Sequence, residues 1–422
     1  MCITDWRWNT DMLYTLHKQT KVRKRMVERG RNQMIYKDRR VEHDRKWSGI
    51  KAKFGSDDLL PLWIADMDFE APKCVKNALK EYVDFGVFGY YDPTTQYFDS
   101  IIQWERQYHD YKIEREWIRY APGAVPAFNW LIHNLTKEEE SVIILTPVYY
   151  PFREGIVNNN RKLVQSHLVR TEDSYQIDFE DFEQKIVEHD VKLFIFCNPH
   201  NPVGRAWSAE EIKQLMDICV KHQVYVIADE IHQDLVMKGY KKVTAATVGD
   251  YDEWLITITA ATKTFNLASV QNAILIIPDE KLRKMYDAYL VKLRITTGNA
   301  FGYIAVQSAY QYGRRWLEEV LEVIESNYFL MKDLLEKELP DVWIPRMEAT
   351  YLMWIDLGKY IQPQEMENVI LSECGLAVDF GSWFGEEDAG FIRINLATRR
   401  ENIEQAAENI IRVLKKRKQE RV

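Results

Sequence analysis

The residues best suited to chemistry are a lysine and an aspartate that each follow a run of β-branched residues. Lys263 lies in TAATKTFN, after the run 255–258, among small residues and Phe265. A lysine held in such a place loses its proton readily, which suits it to Schiff-base chemistry. Asp229 lies in ADEIHQD after the preceding run, and its carboxylate could keep a ring nitrogen protonated through a charge-assisted hydrogen bond. The bland alternatives are a surface lysine and a helix-capping or salt-bridging aspartate.

A turn between a strand and a helix offers a place for an anion. Gly123, Ala124 and Val125 stand at such a turn in YAPGAVPAFN, where backbone N–H groups and the helix dipole favour negative charge. Thr262 could add a hydroxyl donor. A glycine turn alone is a weak signal, because ordinary loop geometry explains most such glycines.

Two further residues would complete a site for a flat, phosphorylated ring. Asn201 in NPHNPVG could donate to a ring oxygen, although a turn residue before Pro202 is the simpler interpretation. Tyr149 in TPVYYPF could lie flat on the ring, although an aromatic residue after a strand is as often part of the core. Lysine, acid and anion site together predict pyridoxal 5'-phosphate, with the lysine as its Schiff-base partner and the acid keeping its ring an electron sink.

The elements that must position these residues are short apolar strands separated by amphipathic stretches. Ser208–His222 has one apolar helical face and begins with a capping box of Ser208 and Glu211. Buried strands alternating with helices predict an α/β fold with a mainly parallel sheet, whose ligands bind at the carboxyl ends of the strands. The strand-like runs are 142–145, 193–196, 224–227, 255–258 and 273–277.

The C-terminal third predicts a smaller α+β domain. It has a long helical pattern over 301–339, a strand-like segment at 350–357 and an amphipathic helix near 401–416. The predicted organisation has four parts along the chain. They are a basic, poorly ordered extension at 1–35, the N-terminal part of a split small domain at 36–85, a large domain at 86–312 and the rest of the small domain at 313–422.

Composition excludes several classes of protein. The 46% of apolar residues argue against disorder of the whole chain, and the net charge of −8 argues against a dominant nucleic-acid or anionic-membrane surface. No apolar run reaches the ~18–20 residues of a membrane helix, and the N-terminus lacks a secretory pattern. Five widely spaced cysteines without CxxC predict neither disulfides nor a metal site, and favour the reducing cytoplasm.

Nine segments together resemble one known family. Their order and residues match the MalY/PatB family of cystathionine β-lyases, which are carbon–sulfur lyases of fold type I in the aminotransferase class I/II superfamily. The resemblance covers about residues 36–415 and implies a fold-type I transferase fold with a seven-stranded sheet. The segments are PLWIADMDFEAP (61–72), FGYYDP (88–93), YAPGAVPAFN (120–129), TPVYYPF (146–152), CNPHNPVGRAW (197–207), ADEIHQD (228–234), TKTFNLA (262–268), EATYLMWIDL (348–357) and GSWFGEEDAGFIRIN (381–395).

The resemblance repeats the cofactor roles already given to Lys263, Asp229, Asn201 and Tyr149. It also implies residues that the patterns alone do not single out. His232 takes the position where many aminotransferases have tyrosine, Ala65 a substrate-binding position, and Arg393 that of the arginine that binds the substrate α-carboxylate. Tyr90 resembles a tyrosine that reaches the phosphate of a neighbouring subunit, which implies a homodimer with shared active sites.

The chain also departs from the family pattern. These departures leave the cofactor residues intact, but they bear on substrate preference and turnover. They are Arg40-Val41-Glu42-His43-Asp44 for Arg-Gly-Thr-Asn-Ser, Ala260 for serine, Ser269 for glycine, and Thr398-Arg399-Arg400 for the Cys-Pro-Arg that often ends the carboxylate motif.

The activity that the resemblance implies is α,β-elimination of L-cystathionine and related cysteine S-conjugates to pyruvate, ammonia and a thiol, here homocysteine. An aminotransferase is the first alternative, because the same cofactor residues serve both reactions; His232 and the nine segments favour the lyase. The second is a cofactor-binding regulator that docks on a partner, for which the basic N-terminal extension offers slight support.

Overall fold

A seven-stranded sheet lies at the centre of the computed structural model, which describes residues 35–41, 43–295 and 297–420. The extension at 1–35, which is predicted to be poorly ordered, lies outside the described residues except for Ile35. The strands are β1 Leu60–Pro61, β2 Ile118–Ala121, β3 Ser141–Thr146, β4 Lys162–His167, β5 Val169–Arg170, β6 Tyr175–Gln176, β7 Val191–Cys197, β8 Tyr225–Asp229, β9 Leu255–Thr259, β10 Ala273–Ile276, β11 Leu352–Asp356, β12 Leu376–Ala377, β13 Asp379–Phe380 and β14 Phe391–Asn395.

Helices cover both faces of this sheet. One apolar cluster contains Phe128, Phe152 and Tyr286 from three helices, and another contains Phe182 and Leu215 on the opposite face. The helices are α1 Ile50–Phe54, α2 Lys73–Phe85, α3 Thr95–Tyr108, α4 Ala124–Leu135, α5 Pro151–Asn158, α6 Phe179–Glu188, α7 Ala209–Lys221, α8 Ala261–Thr264, α9 Glu280–Leu293, α10 Ala300–Tyr312, α11 Arg314–Glu338, α12 Met366–Asn368 and α13 Arg400–Glu420.

The strand order confirms the predicted α/β class. It is β2-β10-β9-β8-β7-β3-β4, and the neighbours from β9 to β4 run parallel. Strand β10 runs antiparallel to both β9 and β2, so β2 points the same way as β9. Every residue of β3, β9 and β10 is buried, as expected for strands covered on both faces. The carboxyl ends of six strands therefore meet at one edge.

One predicted helical segment is confirmed, and another is divided into two helices. Helix α7 has the predicted capping box, since the Ser208 hydroxyl accepts from Glu211 N and Glu211 Oε2 accepts from Ser208 N at 2.8 Å. The pattern over 301–339 is two helices, α10 and α11, separated at Gly313. A side chain at Gly313 would place its Cβ 2.5 Å from the Ala309 carbonyl oxygen and 2.6 Å from the ring of Phe265. Close packing at that point requires glycine, which is a weak helix former.

The N-terminal and C-terminal parts of the described chain meet through one pair of strands, and the C-terminal part also has a small sheet of its own. Strand β1 pairs in parallel with β12, and β11, β14 and β13 form an antiparallel sheet. Residues 36–422 form one compact unit. The pairing of β1 with β12 agrees with a split small domain, but the bounds 36–85, 86–312 and 313–422 stay a prediction. No described helix is long and apolar enough to cross a bilayer.

Candidate active site

The fold brings the sequence-predicted residues to the carboxyl edge of the sheet. Asp229 is the last residue of β8, and Lys263 lies in α8 directly after β9. Asn201 and Tyr149 follow β7 and β3, and Tyr149 N donates to Asn201 O at 3.0 Å. Because parallel strands end at one edge, four segments far apart in sequence converge there.

The Lys263 ammonium lies against a loop from the N-terminal part of the chain. Its Nζ donates to Ala65 O at 2.7 Å, and the Tyr351 hydroxyl donates to the same oxygen at 2.9 Å. Burial lowers the pKa of Lys263 to about 8, although the nearby Asp66 carboxylate acts in the opposite direction. A large fraction of the amine is therefore neutral near pH 8, as a nucleophile or base requires.

Asp229 is a buried carboxylate without a cationic side chain in contact. Its only side-chain hydrogen bond among the described residues is from Ile231 N at 3.3 Å, and it makes no ion pair there. Burial raises the pKa of Asp229 to about 7, and the charge of Lys263 opposes this shift. Such a group needs a positively charged N–H partner to remain ionised.

His232 and Asn201 are buried beside these two groups. Burial lowers the pKa of His232 well below its usual value, and the positive charges of Lys263 and Arg393 act in the same direction. The imidazole is therefore neutral, and its Nδ1 has no hydrogen-bond partner among the described residues. The Asn201 Oδ1 accepts from Arg393 Nη1 at 2.9 Å, which leaves the Asn201 Nδ2 as a donor for a ligand.

Arg393 enters the site from the central strand of the three-stranded sheet. It is buried in β14, and its Nη2 forms an ion pair with Asp379 of the adjacent strand β13. The ring of Phe384 lies 5.2 Å from the guanidinium carbon. The Nε atom has no hydrogen-bond partner among the described residues, so part of the guanidinium is available to a ligand.

The predicted anion site lies at the start of α4. Gly123 precedes this helix, and Ala124 and Val125 form its first turn, whose N–H groups have no partner within a helix. Among the residues that the structure describes, a Cβ at Gly123 would meet only Pro126 Cδ, at 3.5 Å, which leaves space beside this backbone. Because β2 points the same way as β9, this turn lies at the same edge as Thr262 in α8.

Tyr90 is not brought to the site of its own chain. Its side chain is fully exposed, among other exposed apolar residues of the segment 85–90. The role of Tyr90 at the cofactor of a neighbouring subunit stays a prediction.

Three residues of the site are not singled out by the sequence patterns. Tyr351 shares the acceptor of Lys263, Asp66 influences its pKa, and Asp379 pairs with Arg393. Tyr351 and Asp66 lie within two of the nine family-like segments, but no spacing or composition marks them individually. The available signal for Asp379 is a charged residue inside the apolar run LAVDF, which suggests a buried partner of opposite charge.

Three of the residues that depart from the family pattern have different surroundings. Asp44 accepts from Arg39 Nε at 2.8 Å, and Arg39 Nη1 also donates to Asp66 at 2.7 Å beside Ala65. Ala260 is buried at the start of α8, where it leaves the helix without a side-chain cap. Ser269 is exposed.

Comparison with known proteins agrees with this arrangement. The sequence model of the family "Aminotransferase class I and II" matches residues 57–410. The chain is 37% identical over 352 residues to cystathionine beta-lyase PatB of Bacillus subtilis strain 168, covering 83% of this chain and 91% of that protein.

Solved structures show the same fold. A protein from Clostridium difficile 630, bound to pyridoxal phosphate and provisionally named an aminotransferase, has a TM-score of 0.88 and 39% identity over 91% of this chain and all of its own. The pyridoxal-phosphate-bound C–S lyase from Staphylococcus hominis has a TM-score of 0.86 and 31% identity, over 91% of this chain and 98% of its own.

The lowered pKa of Lys263 predicts its reactivity in protein freed of small molecules. Labelling with a limiting amount of an amine-reactive reagent, followed by peptide mass spectrometry, should give a Lys263 yield that rises with a midpoint near pH 8, because only the neutral amine reacts. In Asp66→Asn the midpoint should fall, because a carboxylate that favours the charged amine is lost. A wild-type midpoint near the ordinary 10.5 would contradict this account.

Proposed function

The chain belongs to the aminotransferase class I and II family, and on that premise we infer that it is a pyridoxal-phosphate-dependent carbon–sulfur β-lyase. It converts L-cystathionine and related cysteine S-conjugates, with water, into pyruvate, ammonia and a thiol. The observation that carries this conclusion is the 37% identity to cystathionine beta-lyase PatB over 83% of the chain. The paired presence of Lys263 and Asp229 at the sheet edge supports it.

The site residues fit this cofactor. Asp229 is a buried acid that forms no ion pair in the part of the chain that the structure describes, and the ring nitrogen of the cofactor would supply a positive partner. We propose that Lys263 binds the aldehyde carbon and that the free Asn201 Nδ2 donates to the ring oxygen. His232 lies beside these groups as a neutral, buried neighbour.

The remaining cofactor contacts are proposed for the ring face and the phosphate. Tyr149 would cover one face of the ring. The backbone of residues 123–125 and the hydroxyl of Thr262 would hold the phosphate, because a helix start and a hydroxyl both donate to anions. When bound, the cofactor supplies the electron sink that makes the substrate Cα–H bond acidic.

The protein itself then has three tasks. Arg393 holds the α-carboxylate, since a guanidinium donates two parallel hydrogen bonds to it. The Nζ atom of Lys263 accepts the Cα proton, which its lowered pKa allows near neutral pH. The ionised carboxylate of Asp229 keeps a proton on the ring nitrogen, because the ion pair offsets the penalty of burial. The carbonyl oxygen of Ala65 accepts a hydrogen bond from Lys263 Nζ and so fixes the position of that atom in the free protein.

Transamination is the second candidate, and the similarity to the protein from Clostridium difficile favours it. Both reactions begin with removal of the Cα proton. They differ in the next step, since the lyase expels a thiolate from Cβ and the aminotransferase returns a proton elsewhere. A regulatory role through docking depended on the N-terminal extension, which lies outside the described residues except for Ile35.

We also propose that the active protein is a homodimer in the cytoplasm. The exposed apolar side chains of Phe85, Val87, Phe88 and Tyr90 lie within one short segment, 85–90, and such a cluster is typical of an interface. The four described cysteines are all free, which suits a reducing compartment.

The lyase activity predicts a specific set of products. Holoenzyme given L-cystathionine without a keto acid should release pyruvate and homocysteine in equal amounts and keep turning over. Lys263→Ala should form neither product, because it lacks both the Schiff-base amine and the base. Exposed Lys80→Ala, as a control, should match the wild type.

An aminotransferase would give a different result in the same experiment. In that case cystathionine would yield pyruvate only in trace amounts, and the cofactor would pass to its amine form until a keto acid is added. An amino acid without a leaving group at Cβ would then be as good a substrate as cystathionine.

Shared active sites predict complementation between two impaired variants. Tyr90→Phe should weaken cofactor binding about tenfold or more through loss of a hydrogen bond to the phosphate, and Lys263→Ala should be inactive. In a hybrid dimer isolated through two different tags, one site combines the intact Lys263 of one subunit with the intact Tyr90 of the other. At limiting cofactor this hybrid should have about half of the wild-type activity. No gain over the Tyr90→Phe parent would contradict a shared site.

A further inference from the structure

The buried ion pair between Asp379 and Arg393 lies where the substrate carboxylate is proposed to bind. The two residues are directly opposite each other on β13 and β14, and their side chains are only 2% and 3% exposed. Asp379 Oδ2 contacts Arg393 Nη2, and Asn201 Oδ1 accepts from Nη1 at 2.9 Å. Two of the three guanidinium nitrogens therefore already have acceptors.

The geometry of a guanidinium makes this pairing a competitor for substrate. A carboxylate that accepts two parallel hydrogen bonds from arginine uses either Nε with Nη2 or Nη1 with Nη2. Both combinations include Nη2 of Arg393, which is the atom that Asp379 contacts. An incoming α-carboxylate is therefore brought next to the carboxylate of Asp379. Two buried carboxylates at such close range do not both stay ionised.

We propose that Asp379 is a positioning residue that holds and neutralises Arg393 in the free site and accepts a proton when an α-carboxylate binds. The inference rests on the proposed function in one respect, namely that Arg393 is the carboxylate site. It adds a consequence for substrate binding, since affinity for any α-carboxylate is then coupled to the uptake of a proton.

Four titratable groups of the described residues face Asp379. Arg393 lies on β14, Lys53 of α1 is near enough to favour the ionised carboxylate, and Tyr149 and Tyr150 lie on the segment before α5. Burial raises the pKa of Asp379, and the charge of Arg393 is the largest opposing influence. Burial also raises the pKa of both tyrosines, so they stay neutral at pH 8. Asp379 is thus the acid whose proton affinity responds to a new anion on Arg393.

The test uses holoenzyme and 3-(methylthio)propanoate, a substrate-like carboxylate that lacks the amino group and so cannot react with the cofactor. Calorimetric titration at pH 8 in two buffers of different ionisation enthalpy gives the protons taken up per bound probe. Wild type should take up about one proton, and its Kd should rise about tenfold per pH unit above neutrality. Asp379→Asn should take up almost none, with a Kd independent of pH and lower than that of wild type at pH 8.

Two control variants show which side chains the measured binding and proton uptake depend on. Arg393→Gln should abolish probe binding, which locates the probe at the guanidinium. Asp356→Asn removes another acid that is paired with an arginine, Arg170, and that lies on a strand beside β14. It should behave like wild type.

Three results would overturn the proposal. They are absence of proton uptake in wild type, equal uptake in wild type and Asp379→Asn, and a loss of binding in Asp379→Asn as complete as in Arg393→Gln. If Asp379→Asn does not fold, the wild-type proton number together with Asp379→Ser decides the matter. Absence of lyase activity would refute the proposed function alone, because the titration requires no turnover.

Discussion

The feature on which the rest of this site depends is Asp229, a buried carboxylate that contacts no cationic side chain among the described residues. Removing an isolated carboxylate from water costs several kcal/mol, so the group either takes up a proton or acquires a positive partner. The raised pKa of Asp229, about 7, reflects the first solution in the protein alone. A protonated ring nitrogen provides the second, and it makes cofactor binding and the ionisation of Asp229 one coupled event.

The next residue, Glu230, is an acid whose contacts differ from those of Asp229. Glu230 is also buried, but Asn198 Nδ2 and Ala245 N each donate to it at 2.9 Å, and Lys242 forms an ion pair with it. The carboxylate of Glu230 therefore has hydrogen-bond and ion-pair partners within the protein. These contacts connect the loops at the edge of the sheet. Among the described residues Asp229 accepts one side-chain hydrogen bond, from Ile231 N at 3.3 Å, so most of its carboxylate is left for a ligand. The contrast separates a structural carboxylate from one that serves chemistry.

Much of this arrangement could be predicted from the sequence because it depends on local patterns. The β-branched runs that became β3, β7, β8, β9 and β10 are nearly continuous apolar stretches of strand length, and the polar segments after them had to meet where parallel strands end. The capping box of α7 is likewise local. The pairing of Asp379 with Arg393 and the contact of Lys263 with Ala65 were beyond this reasoning, because they join residues from separate elements. Gly313, at which α10 and α11 separate, packs against the ring of Phe265, which is distant in the sequence, and helical periodicity alone did not reveal this contact.

The most direct test of the central claim is the protonation state of the ring nitrogen. Holoenzyme reconstituted with pyridoxal phosphate labelled with ¹⁵N in the ring can be followed by nuclear magnetic resonance at pH 8. The account predicts a protonated ring nitrogen in wild type and an unprotonated one in Asp229→Asn, because only the ionised carboxylate stabilises the pyridinium charge. An unprotonated ring nitrogen in the wild-type holoenzyme would contradict it.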